Sequence, residues 1–172
     1  MIRKLLVVNG HPDPRPERFC AALCGAYEAG AQARGCATRR LDVGAIDLAA
    51  VARAGEAADG IEEAFRLVRA ADRLAIVYPL WADAPPMGLK QMFDYVARLE
   101  EMLRLKDRAA KKARVVVTTA LPAMVYRGKL APVALSGVEA DEPLFIGSVD
   151  TITAEQRARW IEQVRVLGRA VN

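Results

Sequence analysis

The chain's single histidine, His11, lies in Asn9-Gly10-His11-Pro12-Asp13-Pro14-Arg15-Pro16, directly after a run of Leu and Val. A loop between a strand and a helix can hold a phosphate through its backbone N–H groups and the positive end of the helix dipole. Arg18 stands beside it, either as a bidentate grip on such a phosphate or as an exposed residue of a first helical turn. His11 itself is a candidate proton-transfer group, although a lone histidine after a strand more commonly bonds its own loop. A second cluster, Tyr78-Pro79-Leu80-Trp81-Ala82-Asp83-Ala84-Pro85-Pro86-Met87, is rich in aromatic residues and proline. Pro79 and Trp81 there offer either an apolar wall for a flat ligand or ordinary core. Cys20 and Cys24 have the spacing of a metal-ligand pair, but one histidine and no other clustered thiols argue against a metal site, and both read as small buried residues.

The elements that carry these loops follow from periodicity. Residues 2–9 form an apolar strand, and Phe19, Leu23, Ala26, Tyr27 and Gly30 mark a helix that stops at Gly35. Ala37 to Leu41 reads as a short strand, and 42–60 as irregular. Ile61, Ala64, Phe65, Val68 and Ala71 define a second helix, Arg73 to Tyr78 a strand ended by Pro79, and Met87 to Lys106 a third helix. Val115 to Thr119 and Leu144 to Ile146 complete the strands, and the Thr153-x-x-Gln156 capping box opens a last helix with Trp160, Ile161, Val164, Leu167 and Val171 facing inward. Strand and helix alternate five times, which implies a doubly wound α/β domain with a parallel five-stranded sheet, order 2-1-3-4-5, and helices on both faces. Ligands of such sheets bind beyond the carboxyl ends of strands 1, 3 and 4.

The 172 residues fit one domain, 1–172, and a composition 53% hydrophobic and 27% charged can bury a core. No apolar run approaches the ~20 residues of a membrane span. The start carries no secretory signal and the three cysteines suit a reducing compartment, so the cytoplasm is the expectation. A charge of +4 and a pI near 9.1 come from cations interleaved with acids, which points to a solvated surface rather than a nucleic-acid face. The first loop lacks the G-x-G-x-x-G dinucleotide fingerprint and the P-loop G-K-[ST] ending, and the ends of strands 1 and 3 lack the carboxylates of a phospho-acceptor domain.

Asn9-Gly10-His11-Pro12, Pro79-Leu80-Trp81 running into Gly88-Leu89-Lys90-Gln91-Met92-Phe93-Asp94, and Val117-Thr118-Thr119 together resemble the flavodoxin-like NAD(P)H:quinone oxidoreductase family. The resemblance runs over nearly the whole chain. It implies a non-covalent FMN or FAD, reduced by NADH or NADPH and reoxidised by a quinone or similar flat acceptor. Position by position, His11, Arg18, Phe19 and Cys20 would lie at the phosphate and ribityl end. Pro79, Leu80, Trp81 and Ala82 would line the ring edge, Thr119, Ala120 and Leu121 the pyrimidine side, and Tyr126 the substrate, with Tyr126 and His11 as catalytic candidates. The family's two-fold pairing implies a homodimer, for which the third helix offers Met92, Tyr95 and Met102.

The chain also departs from the family. Arg18 replaces a small hydroxyl residue, the first loop is about two residues longer, Ala120-Leu121-Pro122 stands where the family has consecutive glycines, and no second histidine exists. Those departures keep open a different reading, a flavin-free flavodoxin-like binding or regulatory module acting as an ancillary subunit.

Overall fold

Successive side chains of β1 (Lys4–Asn9) go to opposite faces, and both sets are apolar: Leu6 and Val8 enter one core cluster, Leu5 and Val7 the other. A strand with no polar face must be covered on both sides, which is the condition for a parallel sheet between two helical layers. The computed structural model describes residues 3–48, 59–81, 83–103, 110–126 and 134–171, and has that arrangement. The strands after β1 are β2 (Ala37–Asp42), β3 (Arg73–Leu80), β4 (Lys111–Thr119), β5 (Val138–Ala140) and β6 (Leu144–Ile146). The helices are α1 (Phe19–Gln32), α2 (Asp59–Ala70), α3 (Met87–Met102) and α4 (Ala154–Arg169).

Every strand pairing is parallel, in the order β2-β1-β3-β4-β5, with β6 also on β4. The doubly wound order 2-1-3-4-5 expected from the sequence is therefore present, with one refinement. Its fifth position is shared: β5 registers with Lys111 to Ala113 and β6 with Val116 to Thr118. The sequence reading located β6 but not β5, which has three residues and no buried side chain.

Ile61, Ala64 and Val68 of α2 and Leu89, Met92, Phe93 and Val96 of α3 bury themselves on one face of the sheet. Cys20, Leu23, Cys24 and Tyr27 of α1 and Val164 of α4 do so on the other. Met92 is thus core and not available to a partner, whereas Met102 is exposed. β3 also runs two residues beyond the expected stop, because Pro79 pairs with Thr118 and Leu80 with Thr119. The carbonyl of Val77 accepts from Gly10 N on the β1 side, and Pro79, two residues on, turns its nitrogen to that same side after β1 has ended. No ladder donor is required there, so proline is tolerated. At α4 both halves of the capping box form: Gln156 N donates to Thr153 Oγ1 at 3.2 Å and Thr153 N to Gln156 Oε1 at 2.8 Å. None of the described helices is long and apolar enough to cross a membrane.

α1 and α4 approach closely through Gly30, where an added Cβ would lie 2.0 Å from the carbonyl oxygen of Arg165. Backbone cannot yield as a flexible side chain does, so Gly30→Ala is expected to destabilise the fold by about 3 kcal/mol in urea unfolding. Gly25→Ala is its control, since the added carbon meets only Arg40 Nη2 at 3.5 Å. Removing a helix-interior glycine there should leave stability unchanged or raise it by up to about 1 kcal/mol.

Candidate functional site

At the carboxyl ends of β1, β3 and β4 each loop departs in a direction set by a local bond. Asn9, fully buried, anchors to β2 by donating from Nδ2 to Asp42 Oδ1 at 2.9 Å, and its Oδ1 accepts from His11 N at 3.2 Å. His11 Nδ1 accepts from Asp13 N at 2.9 Å, and Asp13 Oδ1 accepts from Arg15 N at 3.1 Å. Three successive side chains thus each satisfy the amide two residues on. The intervening Pro12 and Pro14 have no amide hydrogen to satisfy. Gly44, in the single helical turn after β2 (Val43–Ala45), completes the clamp: a Cβ on it would lie 2.2 Å from the Pro12 carbonyl oxygen. Beyond the loop, a cavity of about 190 Å³ opens between Gly10, Pro12, Ile46, Pro86 and Leu89.

The same loop collects charge. Arg15 donates from Nε and Nη2 to the Asp13 carboxylate at 2.6–2.9 Å, and Arg18 donates from Nε to Asp13 Oδ2 at 2.7 Å. These bonds, Arg15's first, hold the Asp13 carboxyl well below the usual carboxylate range. Arg18 is also the N-cap of α1; no side chain caps the helix and its first turn has no acidic residue. The N–H groups of Phe19, Cys20 and Ala21 therefore remain unpaired among the described residues, the arrangement that suits a phosphate. Only their backbones are presented. The Phe19 ring lies under the Arg157 guanidinium, 4.5 Å from its centroid, and Cys20 is buried with its thiol 3.5 Å from Thr118 Oγ1. Burial pushes that thiol up to about 11, so it stays neutral and is no nucleophile.

From β3, Leu80 is buried in the core while Trp81 is 54% exposed and meets the His11 ring edge-on, with centroids 5.8 Å apart. Trp81 N donates to Ala84 O at 3.2 Å and Ala84 N to Trp81 O at 3.0 Å, closing a tight turn in which Asp83 adopts φ +62°. The Trp81 amide is thereby engaged, and Pro79 has none to offer. Ala82 lies outside the described residues.

From β4, the buried Thr119 accepts from Leu121 N through Oγ1 at 3.3 Å, and Ala120 and Leu121 are exposed. The carbonyls of Thr119 and Leu121 receive Val149 N and Ser148 N, both at 3.1 Å, which pins this loop to the chain after β6. Tyr126 does not join the site surface: it is 3% exposed, in a helical turn (Ala123–Tyr126), with its ring stacked on Phe145 at 5.5 Å.

The structure thus brings together His11, Arg18, the backbone of Phe19 and Cys20, Trp81, Thr119, Ala120 and Leu121 along one edge of the sheet. Pro79 and Leu80 support that edge from inside, and Tyr126 packs beneath it. Asn9, Asp13 and Asp42 were not singled out from the sequence. The alternation of acceptor side chains with prolines from Asn9 to Pro16 is the signal that would have found the first two. Among the described residues no three His, Cys, Asp or Glu side chains cluster as a metal site would require.

A family described as having the flavodoxin-like fold matches residues 3–139. The chain belongs to that family. A search of curated proteins finds no match. Among solved structures the chain is similar to an NAD(P)H:quinone oxidoreductase from Methanothermobacter marburgensis, with TM-score 0.72 and 19% identity over 98% of this chain and 96% of the other. An NADH:FMN oxidoreductase in its apo form gives TM-score 0.68 and 19% identity over 98% and 89%. An azoreductase from Bacillus anthracis gives 0.63 and 14% over 99% and 100%. At these identities the likeness concerns the fold.

Because Nδ1 of His11 accepts a hydrogen bond, the neutral ring carries its proton on Nε2. Burial, aided by the positive charge of Arg18, lowers the His11 pKa from the ordinary 6.5. Protonation therefore favours the unfolded chain, so this residue's contribution to stability is complete above pH 6.5 and declines as pH falls below it. With one histidine in the chain, a proton NMR titration reads a single imidazole. Its midpoint is expected below 6.5, and a midpoint above 6.5 contradicts the loop geometry.

Proposed function

We propose that this chain is a flavin-dependent NAD(P)H oxidoreductase that holds FMN or FAD non-covalently at the edge formed by the three loops and serves a quinone-like acceptor. The observation that carries the reading is the juxtaposition of an uncapped α1 N-terminus, flanked by Arg15 and Arg18, with a half-exposed Trp81 at the ends of adjacent strands. The resemblance of the loops to the quinone oxidoreductase family and the fold shared with NAD(P)H:quinone and NADH:FMN oxidoreductases support it.

In this reading the N–H groups of Phe19, Cys20 and Ala21 and the guanidinium of Arg18 take the phosphate. Trp81 and Leu121 give apolar contact to the ring system and keep water from it, and Thr119 fixes the turn that carries Ala120 and Leu121. His11 holds its proton at Nε2 beside Trp81, as a titratable donor at the site. Tyr126 acts from beneath, as support for the third loop. When bound, the flavin supplies two-electron exchange between a nicotinamide and a flat acceptor.

A second reading, a flavin-free binding or regulatory module, draws on one specific feature: the Asp13 carboxylate already occupies both Arg15 and Arg18. The two readings separate in one titration. Protein as purified should show flavin absorption bands or quench FMN fluorescence at micromolar concentration, and should oxidise NADH or NADPH when a quinone is supplied. Arg18→Gln should weaken FMN about tenfold and leave riboflavin, which lacks the phosphate, unchanged. Colourless protein indifferent to micromolar FMN and FAD overturns the enzyme reading in favour of the module.

We further propose a homodimer, with the exposed Met87, Met102 and Leu103 at the two ends of α3 contributing to the interface, and Met92 excluded from it. Light scattering at micromolar concentration is expected to return twice 18.7 kDa. A monomer mass rejects the pairing.

A further inference from the structure

Away from the three loops, at the amino ends of β1 and β2, a cavity of about 300 Å³ opens beneath the last turn of α2. The parallel register sets Lys4 beside Ala37 and Leu6 beside Arg39, and side chains two apart on a strand share a face. Leu6 belongs to the core cluster under α2 and α3, so Lys4, Ala37 and Arg39 stand on the side of the sheet that α2 covers. The helix meets them with Leu67, Ala70 and the adjoining Ala71. Alanine at 37, 70 and 71 is what leaves the space open, since longer side chains there would occupy it. With Leu6 and Leu67 these methyl groups give the cavity a predominantly hydrocarbon lining, suited to an organic body.

The charge at this cavity has one sign. Lys4 and Arg39 line it, both exposed, and no acidic side chain does. Neither cationic end has a hydrogen bond or ion pair among the described residues. The two are diagonal neighbours on the β1–β2 ladder, one strand spacing and two residues apart, so their Cα atoms lie roughly 8 Å from each other and both cations can reach one anion. Asp72, next to Ala71, is turned to the start of β1 and accepts the Lys4 backbone amide through Oδ2 at 2.8 Å. The carboxyl end of a helix ordinarily repels an anion. That of α2 is already covered, because Lys111 Nζ donates to the carbonyl oxygens of Arg69 at 3.2 Å and Ala71 at 2.9 Å.

We propose that this cavity binds a small aromatic carboxylate, its ring laid against Leu6, Leu67 and the three alanines and its carboxylate held between Lys4 and Arg39. An apolar lining alone would not choose an occupant. Two unpaired cations at its rim, with no lining acid to neutralise them, select an anionic one, and Arg39 offers the planar fork that matches a carboxylate. The volume, at the lower limit for organic ligands, restricts the body to one or two rings. The site lies roughly 17 Å from the loop cluster, the length of β1, and is independent of the flavin reading.

The test titrates the full chain with 2-naphthoate, 2-naphthamide and acetate in two-dimensional amide NMR. Naphthoate is expected to give saturable shifts at Thr38, Arg39, Leu67 and Ala71. The amide should bind about tenfold more weakly because it lacks the charge, and acetate about fiftyfold more weakly because it buries no ring. Arg39→Gln should weaken naphthoate about fivefold, the worth of one exposed ion pair, and leave naphthamide unchanged. Ala70→Leu, at an exposed helical position, should abolish the shifts from both aromatic probes while the melting temperature holds. That second variant keeps the test decisive if the first folds poorly. Shifts that fail to saturate, that fall only at the His11 and Trp81 loops, that show equal affinity for the acid and the amide, or that survive Ala70→Leu overturn the proposal.

Discussion

From Asn9 to Arg15 the chain leaves the sheet on a relay of three side-chain acceptors, and the geometry of the candidate site depends on that relay. An exit loop must satisfy its amides without a neighbouring strand, and here Asn9, His11 and Asp13 each take the amide two positions ahead. Proline at 12 and 14 removes the amides that no side chain would reach, and also lowers the entropy the loop loses on ordering. The start of α1 is therefore held by the loop's own bonds, with Asn9 tied back to Asp42 at the end of β2. Because the relay passes through an imidazole nitrogen, the route of the loop and the protonation of His11 are one equilibrium.

Charge follows from that geometry. Asp13 ends the relay, so its carboxylate is fixed where Arg15 and Arg18 can both reach it. Both arginine side chains are exposed and Asp13 is only partly buried, so their pairing contributes little to stability. Their importance is local: one carboxylate and two guanidinium groups leave a net positive charge beside unpaired helix amides, while setting a competitor for any incoming anion. The second and third loops are fixed by different means, a two-bond turn at Trp81 and Ala84 and a threonine hydroxyl at Thr119, yet all three exits leave their exposed groups at adjacent strand ends.

The fold was legible where burial imposes a period. Apolar residues on both faces of β1 and β3, the helical spacing of Leu89, Met92, Phe93 and Val96, and the Thr153 and Gln156 cap each point to the element that forms. Legibility failed where a neighbour decides the outcome. Pro79 reads as a strand end, but β1 has already stopped and no donor is missed; Val138 to Ala140 gives no signal because none of its side chains is buried, whereas the equally short Leu144 to Ile146 is all apolar and buries Ile146. Within the site, the loop positions of His11, Arg18 and Trp81 could be placed from sequence, since His11 and Trp81 follow strand ends and Arg18 precedes the helical period that starts at Phe19. The burial of Tyr126 could not, because it depends on Phe145, nineteen positions away and brought close only when β6 joins β4.

The divided fifth position of the sheet also bears on how the molecule meets other chains. A long open strand edge is a template on which a foreign strand can add, and a parallel sheet has two such edges. Here one edge is broken into two three-residue pieces separated by Asp141, Glu142 and Pro143, the last without an amide hydrogen. An incoming strand would find no continuous row of donors and acceptors along it. The same interruption that hid β5 from view thus acts as a guard against strand-by-strand polymerisation.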